Sequence, residues 1–258
     1  VAYAADASKD GRAAGIFAGS LAGTAAGLWL GRDMTSAGAM AASSGSNGLA
    51  LVAAGIMAAT GTLDEKADGG EPRAAALGLV AAGALGYPLG ARYARTRAYN
   101  VTGGDVSTLW VAGGIGTAAA GTILAAVDTE SDEAIYLGLT GGLVTGVLAG
   151  DRLLVRRFDH SWSQAATVAA GAVGGGLMGA GVAVLVDQDD PHPAVVLGLL
   201  TAGAAAGVGA ADWLTSTPAD AGPTRTGAAP RRVRIDPTAL AMAAGRVPGR
   251  HALVSVSF

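Results

Sequence analysis

The chain contains no cysteine among its 258 residues, which excludes disulfide frameworks and metal sites built on thiolates. Charged residues make up only 14% of it, whereas soluble proteins average roughly 25%. The net charge of −3 supplies no basic field for phosphates, so no nucleic-acid partner is expected. What the chain has in quantity is small and apolar. Glycine alone accounts for 42 residues, without the Gly-X-Y period of collagen.

The few charges are grouped rather than scattered. They leave seven windows free of Asp, Glu, Lys and Arg, comparable in length with the roughly 20 residues that a helix needs to cross a bilayer. A helix at the surface of a soluble bundle would carry charges along its outer face. The pattern therefore predicts an all-α fold of about seven membrane-embedded helices. The windows are 13–31, 34–63, 74–91, 106–127, 134–150, 161–186 and 194–211.

Glycine recurs at every fourth position from Gly11 to Gly31, although each glycine costs a helix interior about 1 kcal/mol. On a helix this spacing forms a smooth stripe that lets a second backbone approach closely, as in helix association within lipid. Similar spacings return later in the chain, and their predicted role is close packing rather than chemistry. The predicted helix-packing residues are Gly15, Gly19, Gly23, Gly27, Gly78, Gly86, Gly138, Gly142, Gly146 and Gly150.

The tripeptide Leu-Gly-Leu recurs around Gly78, Gly138 and Gly198, at a period of 60 residues. An internal period of this kind predicts copies of one supersecondary unit, here a Gly/Ala-rich helical hairpin. The predicted bundle covers 1–213, with repeats at 11–72, 73–133 and 134–193 and a partial repeat at 194–213. Small residues at four-residue steps predict the packing face of each copy. They are Ala82, Gly86 and Gly90, then Gly142, Gly146 and Gly150, then Ala202, Ala206 and Ala210.

The connections between windows alternate in charge, which predicts one arginine-rich end of the bundle and one acidic end. In an inner membrane the arginine-rich turns would be cytoplasmic. Arg152, Arg156 and Arg157 are candidates for contact with anionic lipid head groups or a polyanion. The alternative is that they stabilise the C-termini of helices.

A linker at 214–231, rich in Thr, Pro, Ala and Gly, precedes a tail of different character at 232–258. Residues 232–235 and 254–258 alternate polar and apolar side chains, which predicts a short β-hairpin. The terminal strand resembles the C-terminal signature of Gram-negative outer-membrane proteins at Val254, Val256 and Phe258. The windows show none of the ten-residue alternation of transmembrane strands. The resemblance implies a bacterial cell envelope, with the outer membrane favoured over the inner.

No catalytic signature is present. The three histidines lie far apart in sequence, at His160, His192 and His251, without metal-ligand spacing. The windows contain no carboxylate, so no buried acid–base pair is expected, nor a catalytic residue, metal or cofactor. Asn47 is the notable polar residue within a span, and it requires a partner. That partner is either a neighbouring helix, as structural glue, or a species in a transport path.

These patterns predict a non-enzymatic structural or assembly protein of a membrane or cell envelope. Its expected partners are the lipid membrane and further copies of itself or a larger membrane complex. Two alternatives remain open from the sequence. One is a channel, translocon or accessory subunit, and the other is a soluble extracellular scaffold or filament subunit whose apolar faces are covered by neighbouring chains.

Overall fold

The computed structural model of the chain describes residues 31–63, 72–186, 192–215, 217–218, 232–235 and 254–257. The fold is all-α, as predicted, and six long helices fill most of these described residues. The first predicted window, with Gly15, Gly19, Gly23 and Gly27, lies outside them. The helices are α1 (Ser36–Ala59), α2 (Pro72–Thr96), α3 (Gly103–Ala126), α4 (Asp132–Gly150), α5 (Trp162–Val186) and α6 (Pro193–Thr215).

Polar residues at the window edges fix where several helices begin. The side chain of Thr35 accepts a hydrogen bond from the backbone of α1, and Ser131 does the same for α4. Thr102 forms a reciprocal capping box with Asp105 at the start of α3. Gly61 adopts a φ of +68° just after α1, a left-handed conformation that glycine takes without steric cost.

All six described helices are long and apolar enough to span a membrane. Their large apolar side chains point mostly outwards: Leu177 is 69% exposed and Met178 is 76% exposed. The apolar side chains buried inside the bundle are alanines and valines. The bundle is therefore small-residue on the inside and large-apolar on the outside, the arrangement expected of helices solvated by lipid.

The helices pack as three antiparallel hairpins within the described residues: the first hairpin is α1–α2, the second α3–α4 and the third α5–α6. The second hairpin contacts the first mainly through α4 against α1, and the third mainly through α3 against α6. The predicted repeats begin at 73, 134 and 194, so the closely packed pairs are shifted by one helix from those boundaries. In each hairpin the Leu-Gly-Leu motif lies near the start of the second helix.

Glycines bring the two backbones of each hairpin into direct contact. A Cβ atom added to Gly86 would lie 2.2 Å from the carbonyl oxygen of Gly45, closer than real Cβ atoms approach a neighbour. In the second hairpin, a Cβ on Gly142 would lie 2.5 Å from the carbonyl oxygen of Gly116. In the third, a Cβ on Gly203 would lie 2.1 Å from the carbonyl oxygen of Gly175. Close contact between glycine backbones therefore packs the two helices together in all three hairpins.

The packing face of the third hairpin differs from the predicted one. Ala202, Ala206 and Ala210 are exposed, and the contact with α5 is made instead by Gly203 and Gly207, one residue later in each turn. That prediction was wrong because small residues occupy adjacent faces of α6. Glycine permits a closer approach than alanine, and it lies on the neighbouring stripe.

The other predicted packing glycines divide into two kinds. A Cβ on Gly146 would meet the carbonyl oxygen of Ala112 at 2.4 Å, and one on Gly150 would meet the Cβ of Ala112 at 2.5 Å. Gly78 and Gly138 instead face flexible side-chain ends, those of Met57 and Leu124 respectively. Of these four, only Gly146 and Gly150 therefore pack against atoms that cannot move aside by a change of rotamer.

Short strands complete the described structure. The predicted tail hairpin is present: β3 (Arg232–Ile235) pairs antiparallel with β4 (Val254–Ser257), and Arg232 lies opposite Ser257. These strands belong to a separate unit that covers residues 225–258. In the main unit, β1 (Phe158–Asp159) pairs with β2 (Thr217–Pro218), just before α5 and just after α6.

Candidate functional site

One end of the bundle concentrates buried polar side chains. At this end α2, α4 and α6 finish while α1, α3 and α5 begin. Burying charge is costly unless each charge is paired and hydrogen-bonded, so these positions identify the candidate site. The buried polar and charged side chains among the described residues are Asp105, Thr108, Asp151, His160 and Asp212.

His160 lies between β1 and α5 and is completely buried. Its Nδ1 is 2.8 Å from Oδ1 of Asp105 at the start of α3. Its Nε2 is 2.8 Å from Oδ1 of Asp212 near the end of α6. Asp105, His160 and Asp212, called the histidine cluster below, therefore join the second and third hairpins through one imidazole ring.

The side chain of Asp105 accepts hydrogen bonds from several donors. The backbone N–H of Thr102 donates to Oδ2 at 2.8 Å, and the backbone N–H of His160 donates to Oδ1 at 2.9 Å. The carboxylate also lies in the first turn of α3, where the helix dipole favours negative charge. In return, the Thr102 hydroxyl donates to the carbonyl oxygen of His160 at 2.5 Å. The two residues of the α3 capping box, Thr102 and Asp105, therefore also hold His160 in place through hydrogen bonds.

The two carboxylates act on the protonation of the ring between them. Burial by itself would lower the pKa of His160, but hydrogen bonds and charges from Asp105 and Asp212 outweigh it and raise the pKa above its ordinary value. Ionised carboxylates only accept hydrogen bonds, and a neutral imidazole has one N–H to donate. The geometry therefore favours the imidazolium form, in which both ring nitrogens donate.

Close backbone approach at Gly104 positions the loop that carries His160. A Cβ on Gly104 would lie 2.1 Å from the carbonyl oxygen of His160 and 2.5 Å from that of Ser161. Any other residue would push this loop away from α3. Only glycine at 104 lets the ring sit between the two carboxylates.

Gly104→Ala should therefore lower stability by about 1–3 kcal/mol, the usual cost of overpacking, even though alanine favours helix over glycine. Thermal unfolding of the purified protein in detergent micelles measures the change. Gly114→Ala is the matched control, since Gly114 lies on the same helix with no atom within 4 Å of an added Cβ. Equal unfolding midpoints for the two variants would contradict the role assigned to Gly104.

A second cluster joins the first and second hairpins at the same end. Asp151 begins the π-helical turn Asp151–Val155 that continues α4. The hydroxyl of Tyr93 donates to Asp151 Oδ1 at 2.5 Å, and the hydroxyl of Tyr99 donates to the same oxygen. Arg97 lies 3.4 Å from Oδ2 of Asp151 and 4.6 Å above the Tyr93 ring centroid. Burial and the bond to Asp151 raise the pKa of Tyr99 to about 12, so this phenol stays a donor.

An apolar groove of about 280 Å³ lies between α1, α3 and α4. Leu49, Val52, Trp110, Leu143 and Val147 are among its lining residues, and Tyr93 closes the side towards the second cluster. Catalytic pockets combine apolar walls with several convergent polar groups. Here Ser44 and Tyr93 are the polar lining residues, and the Tyr93 hydroxyl is engaged by Asp151.

The structure places the remaining predicted site residues on the surface. Asn47 is exposed on α1. Arg152, Arg156 and Arg157 are all exposed around the π-helical turn and do not enter either cluster. Their contact with anionic lipid or a polyanion stays a prediction. The structure places the arginine-rich turns at this end and the acidic turn at 128–133 at the opposite end. Asp105, Asp151 and Asp212 are acids that also lie at the arginine-rich end.

The expectation that no buried acid–base pair exists was wrong, because Asp105 and His160 are both buried and hydrogen-bonded to each other. Asp105 and His160 immediately precede charge-free or apolar windows, while Asp151 and Asp212 immediately follow them. A residue that bounds an apolar window is ordinarily solvated, which is why sequence reasoning passed over these four. Their shared position at one end of alternating helices was the available signal.

Within the described residues, no group of three or more histidine and carboxylate side chains is arranged to hold a metal ion. Comparison with known protein families, curated proteins and solved structures finds no match to this chain. The function is therefore inferred from the geometry of the bundle and its two clusters.

Proposed function

We propose that the protein is a structural or assembly component of a membrane, built from glycine-packed helical hairpins that polar clusters join at one end. The observation that carries this proposal is the contrast between inside and outside. Backbones touch at Gly86, Gly142 and Gly203, while Leu177 and Met178 face outwards. In lipid, close packing of small residues holds helices together without burial of large apolar side chains. In water, the same outward surface would drive aggregation.

The engagement of the polar groups supports a non-enzymatic role. A general base must reach the proton that it abstracts, directly or through one water. Both ring nitrogens of His160 are hydrogen-bonded, one to Asp105 and the other to Asp212, and the side chain is completely buried. Asp151 is likewise occupied by Tyr93 and Tyr99. These groups serve as joints between hairpins.

Two features support assembly into larger units within a bacterial envelope. Gly174 and Gly181 of α5 have no atom within 4 Å of an added Cβ, so they offer small positions on an outward face. A helix of a second copy can approach closely there. The terminal strand that contains Val254 and Val256 favours an outer-membrane location. A channel has less support, since Asn47 faces outwards from the bundle.

Fractionation of the native cell tests the proposal. We expect the protein to remain in the membrane pellet after alkaline carbonate extraction. Six apolar helices long enough to span the bilayer would have to expose their apolar side chains to water to be extracted. Density separation of the two envelope membranes then tests the outer-membrane assignment. Release as a soluble or filamentous assembly would contradict the membrane role and select the scaffold alternative.

A further inference from the structure

We infer that the histidine cluster is a proton-binding site: His160 carries a second ring proton at neutral pH, and the joint between the second and third hairpins depends on it. The inference does not rest on the proposed membrane role. The same three side chains would meet in the same way in a soluble assembly.

The proton has a defined place. If the ring were neutral with its N–H on Nδ1, the lone pair of Nε2 would face Oδ1 of Asp212 at 2.8 Å. Two lone pairs at that distance repel each other, whereas an N⁺–H donor makes a charge-assisted hydrogen bond. In the other neutral tautomer, the lone pair of Nδ1 would face Oδ1 of Asp105, which already accepts the backbone N–H of His160. Either neutral tautomer therefore leaves one ring nitrogen with no hydrogen to donate, whereas a second ring proton lets both carboxylates accept a hydrogen bond.

Few other charges act on the ring. From α3 it faces Asp105 and from α6 it faces Asp212, while α5 contains no Asp, Glu, Lys or Arg. From β1, the adjacent Asp159 accepts a hydrogen bond from Asn100 at 3.2 Å. Arg156 and Arg157, in the preceding turn, are exposed. The charge of the cluster thus changes from −1 with the proton to −2 without it.

The proton can exchange with solvent although the ring is buried. Thr102, Ser161 and Gln164 line an open depression of about 410 Å³ that reaches His160. The Asp212 side chain also keeps 8% of its surface exposed. The site is therefore sheltered enough to favour a paired charge and open enough to titrate.

The sign of the pH effect follows from the raised pKa of His160. Protonated His160 stabilises the contact between the second and third hairpins, and this stabilisation is fully present below the pKa of an unfolded histidine, about 6.5. It is lost as pH rises through the higher value in the folded protein, because the unpaired negative charge then remains buried between α3 and α6. Alkaline conditions should therefore loosen the third hairpin from the second.

Nitrogen NMR of the full chain in lipid nanodiscs tests the inference. The double variant His192→Gln and His251→Gln leaves His160 as the sole histidine, so ¹⁵N-histidine labelling reports on it alone. We expect both ring nitrogens to be protonated at pH 7, with a titration midpoint above 6.5. A ring that is neutral at pH 7 would overturn the proposal.

Asp212→Asn in the same background separates proton binding from mere packing. The amide keeps the size of the side chain and can donate to Nε2, so the ring no longer needs its second proton. We expect the proton affinity of the ring to fall about tenfold or more, so that the titration midpoint moves to lower pH, with the N–H retained on Nδ1. Asp33→Asn, at an exposed acid of the same end, should leave the midpoint unchanged. Equal midpoints in all three backgrounds would overturn the role of Asp212, and the unsubstituted cluster still tests the proton itself if Asp212→Asn fails to fold.

Discussion

Replacing Gly142 with leucine should force α4 away from α3 and unfold the second hairpin, while the same replacement at Gly141 should leave the bundle intact. A Cβ on Gly142 would lie 2.5 Å from a backbone oxygen, which cannot rotate away as a side chain can. A Cβ on Gly141 meets nothing within 4 Å. Overpacking typically costs about 1–3 kcal/mol, and contact with backbone places Gly142→Leu at the upper end or beyond.

The adjacent control isolates packing from helix propensity. Leucine favours a helix over glycine by up to about 1 kcal/mol at either position, so the difference between the two variants is steric. Thermal unfolding in detergent, followed by circular dichroism, measures that difference. Gly175→Leu and Gly174→Leu repeat the comparison in the third hairpin, because Gly175 touches the Gly203 backbone and Gly174 touches nothing. If both members of each pair behave alike, close glycine packing does not hold the hairpins.

Asp105→Ala should destabilise the bundle by about 3–5 kcal/mol, the usual result of removing one partner from a buried ionic pair. Three losses coincide at this residue. The Nδ1–H and backbone N–H of His160 lose their acceptor, and the capping box of α3 loses its carboxylate. Denaturant unfolding of the purified protein, scored as the free energy of unfolding, measures the change.

Two further variants show whether the loss comes from the histidine cluster. Asp33→Ala removes an acid from the same end of the bundle, but the Asp33 side chain is 84% exposed, so we expect little change. Asp105→Asn keeps the side-chain size and one acceptor oxygen and should recover part of the stability. An Asp105→Ala protein as stable as Asp33→Ala would show that the cluster does not hold the hairpins together.

Local patterns in the chain were sufficient for the helices and the tail strands. Hydropathy depends on which residues are neighbours in sequence, so six charge-free windows predicted α1 to α6, and alternation predicted β3 and β4. The glycine spacing also predicted a packing role for Gly86, Gly142 and Gly146, positions at which an added Cβ would lie too close to the backbone of the neighbouring helix. Each of these features depends on residues that lie close together in the sequence.

Helix pairing was decided by tertiary structure. The connections before and after each helix differ in charge, but charge does not specify which neighbouring helix packs more closely. Periodicity alone therefore did not show that α3 pairs most closely with α4 rather than with α2. The packing face of α6 was equally undetermined, because alanine and glycine stripes lie side by side and only the close approach of α5 selects Gly203. Small differences in backbone distance, rather than hydropathy, separate these alternatives.

The histidine cluster also depends on tertiary structure. Asp105, His160 and Asp212 are separated by more than fifty residues at each step, and each lies singly at the edge of an apolar window. As isolated residues they are indistinguishable from solvated turn residues. They become a buried ionic site only because alternating helices bring the start of α3, the loop before α5 and the end of α6 to one place.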